Sequence, residues 1–241
     1  MSFEESVALA ASLPERLPPL AVDIDGTLTD GQGGIDPRVF PVLRSWPAPL
    51  VVATGKAMPY PVALCHFLRV EPLVIAENGG VVLIGHSTVR FAGNREAAAA
   101  VTEAYRAQGY SLGWGAVDLV NRWRETEIAV SRDSPLAPLE ALAREHGLEV
   151  VDTGYAYHVK PPEMSNGTAL QTMADELDTT PDAFAVIGDS QNDAPAFEVA
   201  GTGIAVGNAD DAAIEAADHV TDRTYADGFL EAVEWLCEQT E

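Results

Sequence analysis

Two clusters of carboxylates stand where strand-like apolar runs of this chain give out. Asp23-Ile24-Asp25-Gly26-Thr27-Leu28-Thr29 closes the run Leu20 to Ile24, and Gly188-Asp189-Ser190-Gln191-Asn192-Asp193 follows Phe184 to Ile187. Side chains alternate along a strand, so Asp23 and Asp25 project to the same side, and Gly26 lets the chain turn sharply beyond them. Asp189 and Asp193 are four apart, a spacing that brings both toward one side of a helix beginning near Ser190. Donors that are all oxygen suit magnesium rather than zinc or copper. Burying such carboxylates without a cation or other partner would be costly. A third run, Leu50 to Ala53, ends in Thr54-Gly55-Lys56, which offers a hydroxyl, backbone amides and an ammonium to an anionic oxygen. Taken alone, that tripeptide reads equally well as a turn.

The elements that must hold these residues alternate in type. Leu20 to Ile24, Leu50 to Ala53, Leu73 to Ala76 and Phe184 to Ile187 read as buried strands; Pro37 to Ser45, Pro59 to Arg69, Gly167 to Leu177 and Ala194 to Ala200 read as helices. Such alternation predicts a three-layer, Rossmann-like α/β core with a parallel sheet, whose ligands gather at the carboxyl ends of the strands. The middle of the chain has another texture. Short two-faced strands near Val81 to Ile84, Val89 to Ala92, Glu127 to Ser131 and Glu149 to Asp152 are separated by helices at Arg95 to Gln108 and Pro135 to His146. This predicts an α+β cap domain inserted at 84–154, within a catalytic core of 19–83 and 155–241. Residues 1–18 form an N-terminal extension, with a short amphipathic helix that ends before Pro14.

Acidic residues outnumber basic ones 37 to 14, for a formal net charge of −23, and only Lys56 and Lys160 are lysines. That charge opposes binding to nucleic acid or to an anionic membrane. Hydrophobic residues make up 47% of the chain, enough to argue for a folded globule with its acidity on the surface. At molar salt the Debye length falls to roughly 3 Å and carboxylate self-repulsion is screened, so the composition fits a salt-loving source. Cys65 and Cys237 lack metal-ligand spacing and suggest no disulfide scaffold, which points to a cytoplasmic location. The N-terminal stretch reads as neither a signal peptide nor a membrane span.

Taken in order, the three strand ends resemble the first, second and fourth motifs of the haloacid dehalogenase superfamily of phosphatases. The likeness covers nearly all of the chain after residue 18. The inserted unit is similar to the larger α/β caps of the subgroup that contains sugar-phosphate phosphatases, as is Glu77-Asn78-Gly79-Gly80 ahead of it. Within that subgroup, Asn121-Arg122-Trp123-Arg124-Glu125 looks like the archaeal phosphoglycolate phosphatases. The resemblance implies magnesium-dependent hydrolysis of a small phosphorylated metabolite, 2-phosphoglycolate, by a monomer or homodimer. It implies an aspartyl-phosphate on Asp23, with Asp25 as general acid and base. Magnesium would be held by Asp23, the backbone carbonyl of Asp25, Asp189 and Asp193, while Thr54, Gly55 and Asn192 meet the substrate. Arg122 or Arg124 is suited to a bidentate pair with a substrate carboxylate, or to pairing with surface carboxylates. The alternatives are a sugar-phosphate or phosphoglycerate-type phosphatase, a phosphomutase, or a weakened phosphate-binding homologue.

One departure stands out. The family's third motif places a lysine before a glycine at the start of a helix, and the matching Met164-Ser165-Asn166-Gly167 has Asn166 there. An amide hydrogen-bonds but does not neutralise phosphoryl charge. Lys160, just beyond Tyr155 to Val159, is the expected substitute as a phosphoryl contact, with Lys56 at the rim of the pocket.

Overall fold

The computed structural model describes residues 1–240; Glu241, the last residue of the expected core segment, lies outside them. The expected strands form the centre of an eight-stranded sheet: β1 (Leu20–Asp23), β2 (Leu50–Ala53), β3 (Leu73–Ala76), β4 (Val81–Ile84), β5 (Thr88–Phe91), β9 (Ala185–Gly188), β10 (Thr202–Ala205) and β11 (His219–Val220). Their spatial order is β11-β10-β9-β1-β2-β3-β4-β5. The six strands from β11 to β3 run parallel, while β4 and β5 return antiparallel at one edge. Parallel neighbours need helical crossovers; β3 and β4 need only the turn at 77–80, where Glu77, Asn78 and Gly79 all have positive φ, 56°, 54° and 92°.

The period of two sorts each parallel strand onto two cores. Leu20, Val22, Val52 and Val74 face α2 (Val39–Arg44), α3 (Pro59–Leu68) and α9 (Tyr225–Gln239). Ala21, Val51 and Ile75 face α6 (Asn166–Glu176), α7 (Ala194–Phe197) and α8 (Asp211–Ala216). These are the three layers the alternating pattern predicts. The extension joins the first: α1 (Phe3–Ala11) lies against α2, and Leu9 and Leu13 pack on that core. Arg38, between Asp36 and Asp227 of α9, also donates to the Met1 carbonyl at 2.5 Å.

A second sheet holds β6 (Ile128–Ser131), β8 (Ala156–Lys160) and β7 (Glu149–Asp152), antiparallel in the order β6-β8-β7. It packs with α4 (Arg95–Ala107) and α5 (Leu136–Glu145) around Val101, Tyr105, Val130, Leu139 and Val159. Sheet membership crosses both edges expected of the inserted unit. The hairpin β4-β5 extends the large sheet as far as residue 91, past the expected edge at 84, and β8 pairs in the small sheet as far as 160, past the expected edge at 154. The physical reason is edge pairing: β4 finds its hydrogen-bond partners on β3, and β8 finds its own between β6 and β7.

No helix among the described residues is long and apolar enough to cross a membrane. The acid excess gives a direct stability expectation. Raising potassium or sodium chloride from dilute buffer to about 1 M should raise the melting temperature, by roughly 4–8 °C if screening contributes about 2 kcal/mol. Magnesium is held constant in that measurement, because a ligand of the native state stabilises by itself. A midpoint indifferent to both salts would contradict the screening account.

Candidate active site

The carboxyl ends of β1, β2 and β9 lie side by side because those strands are neighbours in the sheet. Asp23 ends β1 and is buried; Asp189 follows β9, and Asp193 immediately precedes α7. One carboxylate oxygen from each of Asp23, Asp189 and Asp193 falls within 4.8 Å of the others. Two glycines permit this convergence. A Cβ at Gly26 would collide with the Asp189 carboxylate, and one at Gly188 would lie 2.5 Å from Asp193 Cγ. Gly26 also has φ +85°, and its N–H donates to Thr29 Oγ1 at 2.8 Å, closing the turn after Asp23.

The three carboxylates are electrostatically unfinished. Burial, followed by repulsion from Asp193, Asp189 and Asp25, pushes the Asp23 carboxyl well above its usual range. Burial and the charge of Asp193 push Asp189 up, and burial does the same to Asp193 even though the backbone N–H groups of Asp189 and Ser190 donate to it. Asp23 Oδ2 and Asp189 Oδ1 are buried without a hydrogen-bond partner. Such a set is completed by a hard divalent cation, so these residues fit magnesium. Asn208 steadies the far side, donating to the Gly26 carbonyl at 3.0 Å and to Asp189 Oδ2 at 3.3 Å.

Asp25 differs from Asp23. Its side chain is about half exposed (51%) and forms an ion pair with the Lys56 ammonium. Both line a cavity of about 370 Å³ between the core and the cap, with Asp23, Gly55 and Asn192. Thr54 is buried just beneath, its hydroxyl accepting from the Lys56 N–H at 3.2 Å. The opposite wall comes from the small sheet and its loops. Tyr155 stacks on Trp114 with ring centroids 5.8 Å apart, and Lys56 Nζ lies 5.9 Å from the Tyr155 ring centre.

Arg124 and Arg122 part company. Arg124 is buried and lines the cavity; it is ion-paired with Glu127 and donates to the Gly55 carbonyl at 3.0 Å. Arg122 lies over the ring of Trp123, 5.9 Å away, and is not among the lining residues. Lys160 is likewise absent from this wall: its ammonium donates to Glu149 Oε1 at 2.8 Å and to the Met164 carbonyl at 2.6 Å. Asn166 backs the cluster instead, donating to Asp193 Oδ1 at 3.4 Å.

Sequence reasoning missed the group that joins cap to core. Glu127 is fully buried and accepts from Arg124, from His158 Nδ1 at 2.7 Å and from Asn78 Nδ2 at 3.1 Å. Burial alone would raise the Glu127 carboxyl, but His158 and Arg124 outweigh it and hold the group below its usual value. Beside it, the buried Glu77 carboxylate accepts from the N–H groups of Glu125 and Thr126, at 3.0 and 2.9 Å, and from the Thr126 hydroxyl at 2.7 Å. The alternation of β8 was the available signal: Tyr157 and Val159 pack inside the cap, which turns His158 the other way.

Glu127→Gln should therefore cost about 3–5 kcal/mol of stability at neutral pH, the scale of leaving a buried arginine without its counter-charge. A lowered folded-state pKa gives stability that is present above the unfolded value, 4.5, and lost as pH falls through the folded one. The gap between wild type and variant, read by urea unfolding, should thus be widest above pH 4.5 and close below it. A constant gap at all pH values would mean that the charge of Glu127 is not what stabilises the cluster.

Comparison with known proteins bears on the family and the fold. The sequence profile of the haloacid dehalogenase-like hydrolases matches residues 141–233. The phosphoglycolate phosphatase of Haloarcula marismortui is 58% identical over 217 residues, covering 90% of this chain and 96% of the relative. That of Natronomonas pharaonis is 59% identical with the same coverage, and that of Archaeoglobus fulgidus 36% over 218 residues, 90% of this chain and 96% of the relative. The salt-loving composition thus matches relatives from halophilic archaea. A Thermoplasma acidophilum crystal structure shares the fold with a TM-score of 0.77 at 23% identity, covering 91% of this chain and 98% of its own. A haloacid dehalogenase-like hydrolase from Bacteroides thetaiotaomicron gives 0.75 at 24% identity, with 92% and 100% covered. The chain belongs to the haloacid dehalogenase-like hydrolases, and within them it is a phosphatase.

Proposed function

We propose that this phosphatase hydrolyses 2-phosphoglycolate to glycolate and phosphate in the cytoplasm, through an aspartyl-phosphate on Asp23. The observation that carries the reading is the contrast between the two aspartates of one turn: Asp23 is buried against two further carboxylates, and Asp25 is half exposed at the cavity mouth with Lys56. A carboxylate oxygen of Asp23 attacks phosphorus as the ester P–O bond breaks, and Asp25 gives its proton to the departing alkoxide. Asp25, now a carboxylate, takes a proton from the water that attacks the phosphoryl group on Asp23. The Asp23 oxygen leaves, phosphate is released, and both aspartates are restored. Magnesium held by Asp23, Asp189, Asp193 and the carbonyl of Asp25 would supply positive charge facing the phosphoryl oxygens.

Lys56 and the Gly55 amide take those oxygens on the core side, with Thr54 shaping the turn beneath them and Asn192 closing the rim. On the cap side Arg124 and His158 face the organic half of the substrate. Each terminal guanidinium nitrogen keeps an N–H beyond its bonds to Glu127 and Gly55, which suits a carboxylate. The names of the relatives support glycolate as that half. The test is a panel of small phosphomonoesters assayed with magnesium, together with mass spectrometry of acid-quenched enzyme. The highest kcat/KM should fall on 2-phosphoglycolate, with a phosphoryl adduct on the peptide containing Asp23. Preference for a sugar phosphate would overturn the substrate, and an adduct elsewhere would overturn the mechanism.

A further inference from the structure

Two side chains of the cap that line the catalytic cavity lean on a single carboxylate oxygen. Arg124 Nη1 and His158 Nδ1 both meet Glu127 Oε1, the imidazole at 2.7 Å. His158 and Arg124 hold the Glu127 carboxyl below its usual value, and an ionised carboxylate only accepts. Nδ1 must therefore carry a proton. The Asn78 amide nitrogen, 3.1 Å from Nδ1, donates to the same carboxylate, so it stands beside the ring nitrogen without bonding it.

The other ring nitrogen is thereby left for the cavity. Nε2 makes no hydrogen bond among the described residues, yet it is not sealed in: the buried side-chain atoms that lack a partner are Asp23 Oδ2, Thr27 Oγ1, Asn78 Oδ1, Asn166 Oδ1 and Asp189 Oδ1. His158 lines the same space of about 370 Å³ as Asp23, and Nε2 is the polar atom it has to offer there.

Charge selects what binds it. Arg124 and His158 share one carboxylate, and the neighbouring Glu77 is turned to the Glu125 and Thr126 donors. An imidazolium donates from both nitrogens, so it can hold Glu127 on one side and a second anion on the other. With two cations to one carboxylate, this wall is left with positive charge to offer. A neutral ring with its proton on Nδ1 could only accept at Nε2, which would suit a hydroxyl instead.

We propose that Glu127 is a positioning residue that turns His158 Nε2 into the cavity, and that Nε2 selects phosphomonoesters whose organic end is a carboxylate, with Arg124 adding charge from the same wall. This subsite rests on the proposed hydrolysis only for where the phosphoryl end lies.

Two probes of similar length test the selection: 2-phosphoglycolate, and 2-hydroxyethyl phosphate, which ends in a hydroxyl. His158→Asn keeps an N–H for Glu127 in the place of Nδ1 and removes the ring atom that faces the cavity. It should raise KM for 2-phosphoglycolate about thirtyfold with kcat within about threefold, and change KM for 2-hydroxyethyl phosphate less than about threefold. An equal rise for both probes, or none for 2-phosphoglycolate, overturns the selection.

Nuclear magnetic resonance of protein carrying 15N-labelled histidine reads the same atoms without turnover, with His158 assigned by its absence from His158→Asn. Wild type should show the proton on Nδ1, and glycolate added to saturation with magnesium should move the Nε2 signal far more than that of Nδ1. In Glu127→Gln, checked for folding by its melting temperature, the tautomer should no longer be fixed and KM should rise for 2-phosphoglycolate alone. A bare Nδ1 in wild type, or an unchanged KM in folded Glu127→Gln, overturns the positioning role. A shift of Nε2 in a protein that turns over no 2-phosphoglycolate would leave this subsite standing and remove the proposed substrate; hydrolysis of 2-phosphoglycolate with Nε2 unmoved by glycolate would do the reverse.

Discussion

Asp23→Asn is expected to be inactive yet more stable than wild type in magnesium-free buffer. The substitution removes the attacking oxygen anion, so kcat should fall at least about a hundredfold. It also removes a charge that burial and three neighbouring aspartates disfavour more than the Ile24 N–H favours it, so the fold loses a net repulsion. The sign follows from linkage: a carboxyl raised in the folded state makes folding less favourable as pH rises above its unfolded value, and a neutral amide does not titrate. The melting temperature of the variant in chelator should therefore exceed that of wild type at pH 7–8, and magnesium should stabilise it less. Residual turnover above about one part in a hundred would exclude Asp23 as nucleophile. A variant less stable than wild type in chelator would mean that the cluster is not strained by like charge.

The second large effect separates the chain's two lysines. Lys56→Ala should lower kcat/KM by about a hundredfold, because the ammonium lies in the cavity against Asp25, where a phosphoryl group would approach. Lys160→Ala should leave kcat/KM within about threefold of wild type and instead cost about 1–3 kcal/mol of stability, since the Met164 carbonyl would lose a buried donor. Steady-state kinetics and thermal melts on the same preparations check both halves. A severe kinetic loss in Lys160→Ala with a near-normal Lys56→Ala would restore the assignment that the sequence pattern favours.

The contrast between the two lysines shows where sequence reasoning stops. The aspartate clusters were legible because each follows an apolar run, although β1 stops at Asp23, which leaves Asp25 in the turn beyond it, and Asp189 and Asp193 meet across the turn that precedes α7. The layered core was legible for the same reason, since Val51 and Val52 or Val74 and Ile75 must face opposite helices whatever the topology. The fate of Lys160 depends instead on strand pairing. In the small sheet Glu149 stands directly opposite Lys160, and that register makes a cross-strand ion pair of a side chain that ends a strand as plausibly as Asp23 does. The missed Glu127 and His158 depend on the same pairing: β6 lies beside β8, with Ala129 opposite His158. No local pattern brings residues 31 apart into contact at a carboxylate. Sheet membership near 84 and 154 was illegible for a related reason, because a two-faced strand looks alike whether it edges the large sheet or builds the small one.

The clasp of Glu77 on residues 125 and 126 bears on how product escapes. Lifting the cap straight off the core would pull three donors from a buried carboxylate at once, a concerted loss with a high activation barrier. Swinging about that clasp leaves those bonds intact and opens the far lip, where Thr153, Gly154 and Tyr155 overhang Lys56. An opening of that kind would pivot beside Glu77 and gape at Tyr155. The products of hydrolysis would depart past the ring of Tyr155, and that aromatic rim, remote from the bond being broken, would govern the turnover of an enzyme limited by release.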